Sequence, residues 1–141
     1  MTIDNFRRKY FFLSNFYIAP VTFEGLTYQN NEAAFQAAKC LQKQDRIPFT
    51  EMDPSTAKHT GRHVHLRKDW ENVKYQIMED IVRNKFQQNP DLAQKLIATK
   101  DAYLEEENTW GDRIWGTVNH IGENHLGKIL MKIRTELSQK V

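Results

Sequence analysis

The sequence predicts a mainly α fold with a small β component, an orthogonal helical bundle or α+β domain. Three observations point there. Two long stretches, around Trp70–Val82 and Leu126–Leu137, repeat apolar residues at helical spacing. A single turn pair, Glu24-Gly25, separates two short runs of aromatic and β-branched residues. No strand–helix alternation is present, which excludes a doubly wound parallel sheet. At 141 residues the chain fits one domain over 1–141.

In chain order, Val21–Phe23 and Leu26–Tyr28 read as a hairpin around Glu24-Gly25. Asn30 or Asn31 then caps a helix from about Glu32 to Gln42, rich in alanine. Asp53-Pro54 is a cap followed by a first-turn proline, and Gly61 a stop, giving a helix Pro54–Thr60. The strongest helix runs from about Asp69 to Gln87, with Trp70, Val73, Ile77, Met78, Ile81 and Val82 on one stripe. Asn89-Pro90 ends it and starts a short helix through Leu92, Leu96 and Ile97. Tyr103–Glu106 and Ile114–Val118 are expected as short strands, and the last helix starts near Asn124.

Composition narrows the function. The apolar fraction of 40% and charged fraction of 27% exclude a disordered tail or a fibre. No stretch approaches the ~18 apolar residues of a membrane span, and the first residues lack an apolar signal core. One cysteine, Cys40, excludes a disulfide framework or a Cys-rich metal site. The expected compartment is the cytoplasm. A net charge of +2 does not mark a nucleic-acid binder.

Four constellations carry candidate chemistry. Glu32, Gln36, Lys39 and Lys43 share one helical stripe, either a solvated polar face or a set suited to a sugar-phosphate ligand. In Phe11-Phe12-Leu13-Ser14-Asn15-Phe16-Tyr17, apolar residues flank a polar pair. That is either a core strand and turn, or a ligand wall in which rings such as Phe16 stack on a base while Asn15 bonds its edge. Lys58, Arg62, Arg67 and Lys68 form a positive run holding His59, His63 and His65. It reads as a solvated basic face or a phosphate cradle, and no familiar ligand spacing makes the histidines a metal site. Last, Trp110 and Trp115 bracket Asp112 with glycines on both sides, and Gly122, Asn124 and Gly127 follow. Asn124 is a natural cap, while Gly127 inside an apolar helix implies a close contact. Together these describe a pocket for something flat, sugar-linked and phosphorylated.

At these segments the sequence resembles the NADAR family, also called YbiA-like proteins, over nearly the whole chain. The likeness rests on Phe12-Leu13-Ser14-Asn15-Phe16-Tyr17, Glu32, Phe35-Gln36, Lys39, Ala57-Lys58, Gly61-Arg62, Arg67, Asp69-Trp70 and Lys85-Phe86. It continues through Thr99, Asp112, Trp115-Gly116, Gly122, Asn124, Leu126-Gly127 and Arg134. The resemblance implies a single, mostly helical domain and an N-glycosidase acting on a phosphorylated ribosyl N-glycoside. It implies ADP-ribosylated guanine, free or in nucleic acid, or a phosphoribosylamino-pyrimidine of riboflavin synthesis as substrate. No metal or cofactor is implied. On this footing Glu32 serves the ribose, with Asp112 the alternative carboxylate, because cleaving a ribose–nitrogen bond passes through an oxocarbenium-like state that a carboxylate stabilises. Lys39 binds a ribose hydroxyl or phosphate, or attacks the anomeric carbon if Lys43 or burial lowers its pKa. Trp70, Trp110 and Trp115 supply stacking. Arg62, Arg67 and Lys68 hold phosphate, and Asn15, Gln36 and Asn124 orient sugar or base. The competing expectation is a non-catalytic ADP-ribose or nucleotide sensor using the same pocket. A weaker one is a nucleic-acid module, which predicts steep salt dependence.

Overall fold

A computed structural model describes residues 1–140. The elements are β1 (Thr2–Ile3), β2 (Ile18–Phe23), β3 (Leu26–Asn30), α1 (Asn31–Ala37), α2 (Lys43–Arg46), α3 (Pro54–Thr60), α4 (Trp70–Gln88), α5 (Pro90–Ile97), β4 (Tyr103–Leu104) and α6 (His125–Gln139). Short 3-10 stretches occupy Arg8–Leu13 and Ile47–Glu51. The mainly helical α+β class is therefore the observed one. The chain divides into two compact units: a central one, Asn15–Asn89, and a terminal one of Met1–Ser14 with the chain from Pro90 onward.

In the central unit the hairpin forms as expected. Val21 pairs with Tyr28, Thr22 with Thr27 and Phe23 with Leu26. Glu24 and Gly25 both take positive φ, 48° and 87°, the turn that matches strand twist. Ala19, Val21 and Phe23 alternate inward along β2. The backbone of β2 is also bonded by side chains of α4. Gln88 accepts from Thr22 N at 2.7 Å and donates to Thr22 O at 3.0 Å, while Asn89 donates to Pro20 O at 2.9 Å. These amides bond strand groups that would otherwise be left exposed. Asn30 ends β3 and caps α1, its side chain accepting from Ala33 N at 2.8 Å. Asp53 caps α3 in the same way through Thr56 N at 2.7 Å.

Two expectations fail here. Helix α1 stops at Ala37 instead of reaching Gln42, so Lys43 leaves the stripe and starts α2. There the ladder tightens to three-residue bonds, Lys39 N to Gln36 O at 3.2 Å and Cys40 N to Ala37 O at 3.0 Å, and carbonyls 38–40 accept from tertiary donors. Arg67 N bonds Lys39 O at 2.9 Å, Arg67 Nη1 bonds Ala38 O at 3.4 Å and Arg46 Nε bonds Cys40 O at 2.8 Å. The α4 stripe is also displaced. Val73 and Ile77 are only half-buried, while Lys85 and Phe86 are fully buried.

The terminal unit is built on α5 and α6. Strand β1 pairs in parallel with β4, Thr2 opposite Tyr103 and Ile3 opposite Leu104. Phe12 and Leu13 lie buried in a 3-10 turn instead of a strand. Leu126, Leu130 and Ile133 bury the inner face of α6. Gly127 does make the close contact expected of it, since a Cβ there would lie 2.1 Å from Leu104 O. Ile114–Val118 is not a strand; Thr117 and Val118 form only isolated bridges, to Glu107 and Ile121. Asn119 and His120 adopt positive φ and close a tight turn between Val118 and Ile121. Among the described residues no helix is long and apolar enough to cross a membrane.

Candidate active site

The central unit gathers most of the expected site residues around the N-terminal turn of α1 and the loop after α3. Glu32 and Gln36, one helical turn apart, are joined by a hydrogen bond from Gln36 Nε2 to Glu32 Oε2 at 2.6 Å. This bond fixes the rotamer of the half-buried carboxylate. The other amide atom, Gln36 Oε1, is buried without a hydrogen-bond partner among the described residues. Leaving such an acceptor unmatched costs about 1–3 kcal/mol, which is uncommon away from a site that has something to bind. Gln36 is pressed against Gly61, where even a Cβ would come within 1.9 Å of Oε1.

Lys39 stands one turn beyond, half-buried, its ammonium donating to Gly61 O at 3.4 Å. Burial lowers its pKa, and the nearby Arg62 guanidinium adds to the effect while Glu32 opposes it. The lowering cation is thus Arg62; Lys43, expected in that role, instead starts α2 beside the hairpin turn at Gly25.

Arg67 forms a two-point pair with Asp69, Nε to Oδ1 at 2.6 Å and Nη2 to Oδ2 at 3.0 Å. That pairing holds the Asp69 carboxyl below its ordinary value. With its amide on Lys39 O and Nη1 on Ala38 O, Arg67 braces the turn that carries Lys39. Arg62 and Lys68 are exposed, and Lys58 sits over the Phe16 ring at 5.9 Å. Trp70 is buried and packs on Phe35, ring centres 5.0 Å apart, so it serves the core. Asn15 is buried too. Its Oδ1 accepts from Asn31 Nδ2 at 3.1 Å and its Nδ2 faces Met78 Sδ at 3.4 Å.

The terminal unit holds the remaining residues. Asp112 Oδ1 accepts from Ile114 N at 3.0 Å and Trp115 N at 2.9 Å, which organises the turn between the two tryptophans. Trp110 is exposed, and Trp115 meets His125 edge-on at 6.1 Å. Asn124 begins α6 but does not cap it with its side chain. Its φ of 53° turns the amide back onto the chain, where Oδ1 accepts from Glu106 N at 3.0 Å and Nδ2 donates to Leu104 O at 2.9 Å. One group in this unit has metal-ligand geometry among the described residues: Asp4, Glu107 and His120, their ligand atoms within 4.8 Å of one another. Glu105, 3.1 Å from His120 Nδ1, raises the imidazole pKa and favours a proton there. In the central unit, His59 and His63 meet edge-on at 5.1 Å.

Sequence reasoning misses three features of the central unit. Asp69 reads from the sequence as a helix start, although an acid two residues after Arg67 is a recognisable pairing signal. Gly61 reads as a helix stop, and its close packing on Gln36 has no sequence signal. The burial of Lys85, whose ammonium lies 5.5 Å from the Tyr17 ring and 5.2 Å from the Phe86 ring, has no local signal beyond its place on the apolar stripe.

Comparison with known proteins identifies the family. The NADAR domain model matches residues 4–138. The chain is 39% identical over 129 residues to the N-glycosidase YbiA of Escherichia coli (strain K12), covering 89% of this chain and 80% of that protein. It is 37% identical over 136 residues to a riboflavin biosynthesis protein of Vibrio vulnificus (strain YJ016), covering 91% of this chain and 36% of that one. An N-glycosidase of Acanthamoeba polyphaga mimivirus is 38% identical over 130 residues, 79% of this chain and 76% of that protein. The NMR structure of E. coli YbiA superposes with a TM-score of 0.85 at 35% identity, over 99% of this chain and 85% of that one.

Proposed function

The chain belongs to the NADAR domain family and is an N-glycosidase of it, and on that premise we propose that it hydrolyses the ribose–nitrogen bond of a phosphorylated ribosyl N-glycoside with Glu32 as the working carboxylate. The observation that carries the assignment is the bond from Gln36 to Glu32, which holds the half-buried carboxylate in one orientation beside Lys39 and the loop after α3. Asp112 is the weaker candidate, because two backbone amides already hold its Oδ1.

The step balances simply. Water adds its oxygen to the anomeric carbon as the carbon–nitrogen bond breaks. Glu32 takes the water proton, and the departing nitrogen carries away the bonding pair and gains a proton. Charge developing on the ribose in the transition state is stabilised by the same carboxylate. Gln36 serves by holding the Glu32 carboxylate toward the sugar. Lys39 donates a hydrogen bond to the sugar from a turn that Arg67 and Asp69 hold rigid. Arg62 and Lys68, both exposed, attract the phosphate. The substrate is ADP-ribosylated guanine or a phosphoribosylamino-pyrimidine; the name of the Vibrio relative favours including the second. The whole of 1–141 acts as a single domain of the family, and a buried free thiol at Cys40 fits a cytoplasmic setting.

The test is chromatographic. Purified protein and a Glu32→Gln variant meet ADP-ribosylated guanosine, the phosphoribosylamino-pyrimidine, NAD and ADP-ribose. One N-glycoside should be cleaved, with turnover falling about 100- to 10,000-fold in the variant and thermal stability nearly unchanged. A variant as active as the parent overturns the role of Glu32. Saturable ADP-ribose binding without cleavage of any panel member overturns this choice of substrates.

A further inference from the structure

The terminal unit contains a cavity of about 530 Å³ whose walls come wholly from Met1–Ser14 and Lys95–Ala102. That volume lies within the ordinary range of small-molecule sites. No residue of the Glu32 constellation lines it. From its chemistry we propose that it is a second ligand site, taking a mononucleotide.

The floor is apolar. Ile3, Phe12 and Ala102 line it and are themselves buried. A flat heteroaromatic ring is a suitable occupant, since it gains by leaving water and by contact with Phe12 and Tyr10. The mouth is cationic. Lys9, Lys95 and Lys100 all line it, against the single carboxylate of Asp101. Two of these ammonium groups are placed by aromatic rings: Lys9 lies 5.0 Å from the centre of Tyr10 and Lys95 lies 5.9 Å from that of Phe12. The third is placed by the backbone. Lys100 has φ of 58°, a left-handed turn that brings Lys100 and Asp101 to the same rim.

This wall is held firmly. Arg134, buried, donates to Thr99 Oγ1 at 2.9 Å and to Ala102 O at 2.8 Å from behind it. Thr99 Oγ1 in turn donates to Leu96 O at 2.6 Å. A buried arginine that fastens both ends of the four-residue bend Thr99–Ala102 makes a preformed wall, which spares a ligand the entropy of ordering it. Three lysines suit a phosphate dianion, one carboxylate suits the paired hydroxyls of a ribose, and the floor suits a base. A nucleoside phosphate joins these three parts; inorganic phosphate or a free nucleoside supplies only some of them.

The test uses the full chain, isotopically labelled, with AMP as the probe. Addition of AMP should produce saturable shifts of the backbone amides of Ile3, Thr99, Lys100 and Ala102. Inorganic phosphate and adenosine should each bind at least about tenfold more weakly than AMP, because each lacks charge-assisted or apolar contacts worth about a factor of ten. The triple variant Lys9→Gln, Lys95→Gln, Lys100→Gln changes exposed side chains only, so it should keep its melting temperature and lose at least about tenfold in AMP affinity. Glu32→Gln should leave the same shifts intact, which separates this site from the proposed catalytic one. The inference is overturned if those amides show no saturable response to AMP, or if the triple variant binds it within twofold of the parent.

Discussion

Gly61→Ala should disable the enzyme through a side chain that it never touches chemically. Gly61 ends α3 with φ of −62°, an ordinary helical value, so its backbone does not require glycine. By propensity alone the alanine should stabilise by about 0.4–1 kcal/mol. The obstacle is Gln36. The new methyl would stand 1.9 Å from its Oε1, 2.6 Å from Cδ and 3.0 Å from Cβ. Since the contact reaches back to Cβ, turning the terminal amide does not clear it, and the whole side chain must shift. Overpacking of this kind costs about 1–3 kcal/mol. The net loss after the propensity gain is then about 1–2 kcal/mol, or roughly 3–8 °C in melting temperature for a domain of this size. The shift also breaks the 2.6 Å bond to Glu32. A hydrogen bond to a charged group contributes about 1.5–3 kcal/mol, so turnover should fall roughly 10- to 100-fold. Calorimetry and steady-state kinetics on Gly61→Ala, Gln36→Ala and the double variant separate the two effects. Removing Gln36 in the Gly61→Ala background should restore the melting temperature, because the space is free again. Turnover should stay low, because Glu32 is still untethered. An unchanged melting temperature and turnover in Gly61→Ala would refute the reasoning, as would simple additivity of the stability changes.

Three further outcomes are expected. Gly127→Ala should lower the melting temperature even though alanine is the better helix former, because its Cβ would meet the Leu104 carbonyl at 2.1 Å and the Asn124 amide at 2.5 Å; thermal unfolding measures this. Lys85 is pushed down to about 7 by burial, so between pH 7 and 8.5 the unfolded chain binds the extra proton and stability rises with pH, by up to about 1.4 kcal/mol per unit. Lys85→Met should flatten that slope in denaturant titrations, and equal slopes in the two proteins would contradict it. Lys39→Arg should keep part of the turnover, because a charged donor remains, whereas Lys39→Met should lose it; an arginine variant as inactive as the methionine one would make the Lys39 amine the attacking group.

Local signals were legible wherever the responsible partner lies within a few residues. The caps at Asn30 and Asp53, the hairpin at Glu24-Gly25 and the pairing of Glu32 with Gln36 all follow from spacing that the chain displays. What spacing cannot display is a distant donor arriving at a particular carbonyl. The alanine run after Glu32 favours helix to Gln42, yet the helix ends at Ala37 and carbonyls 38–40 are bonded by Arg46 and Arg67. Arg67, read from its neighbours as a phosphate ligand, is held by Asp69 and by that turn. Asn124 has the residue type of a cap and an amide already bonded to Leu104 and Glu106. Each case has the same cause. A charged or amide side chain satisfies whichever partner the fold brings within 3 Å, and its own segment does not name that partner. The early end of α1 matters for the site in particular. It releases Lys39 from the helix into a turn braced by Arg67, where its ammonium meets the Gly61 carbonyl. An uninterrupted helix to Gln42 would instead have tied the Lys39 amide to the Phe35 carbonyl, whereas here it bonds Gln36 O at 3.2 Å.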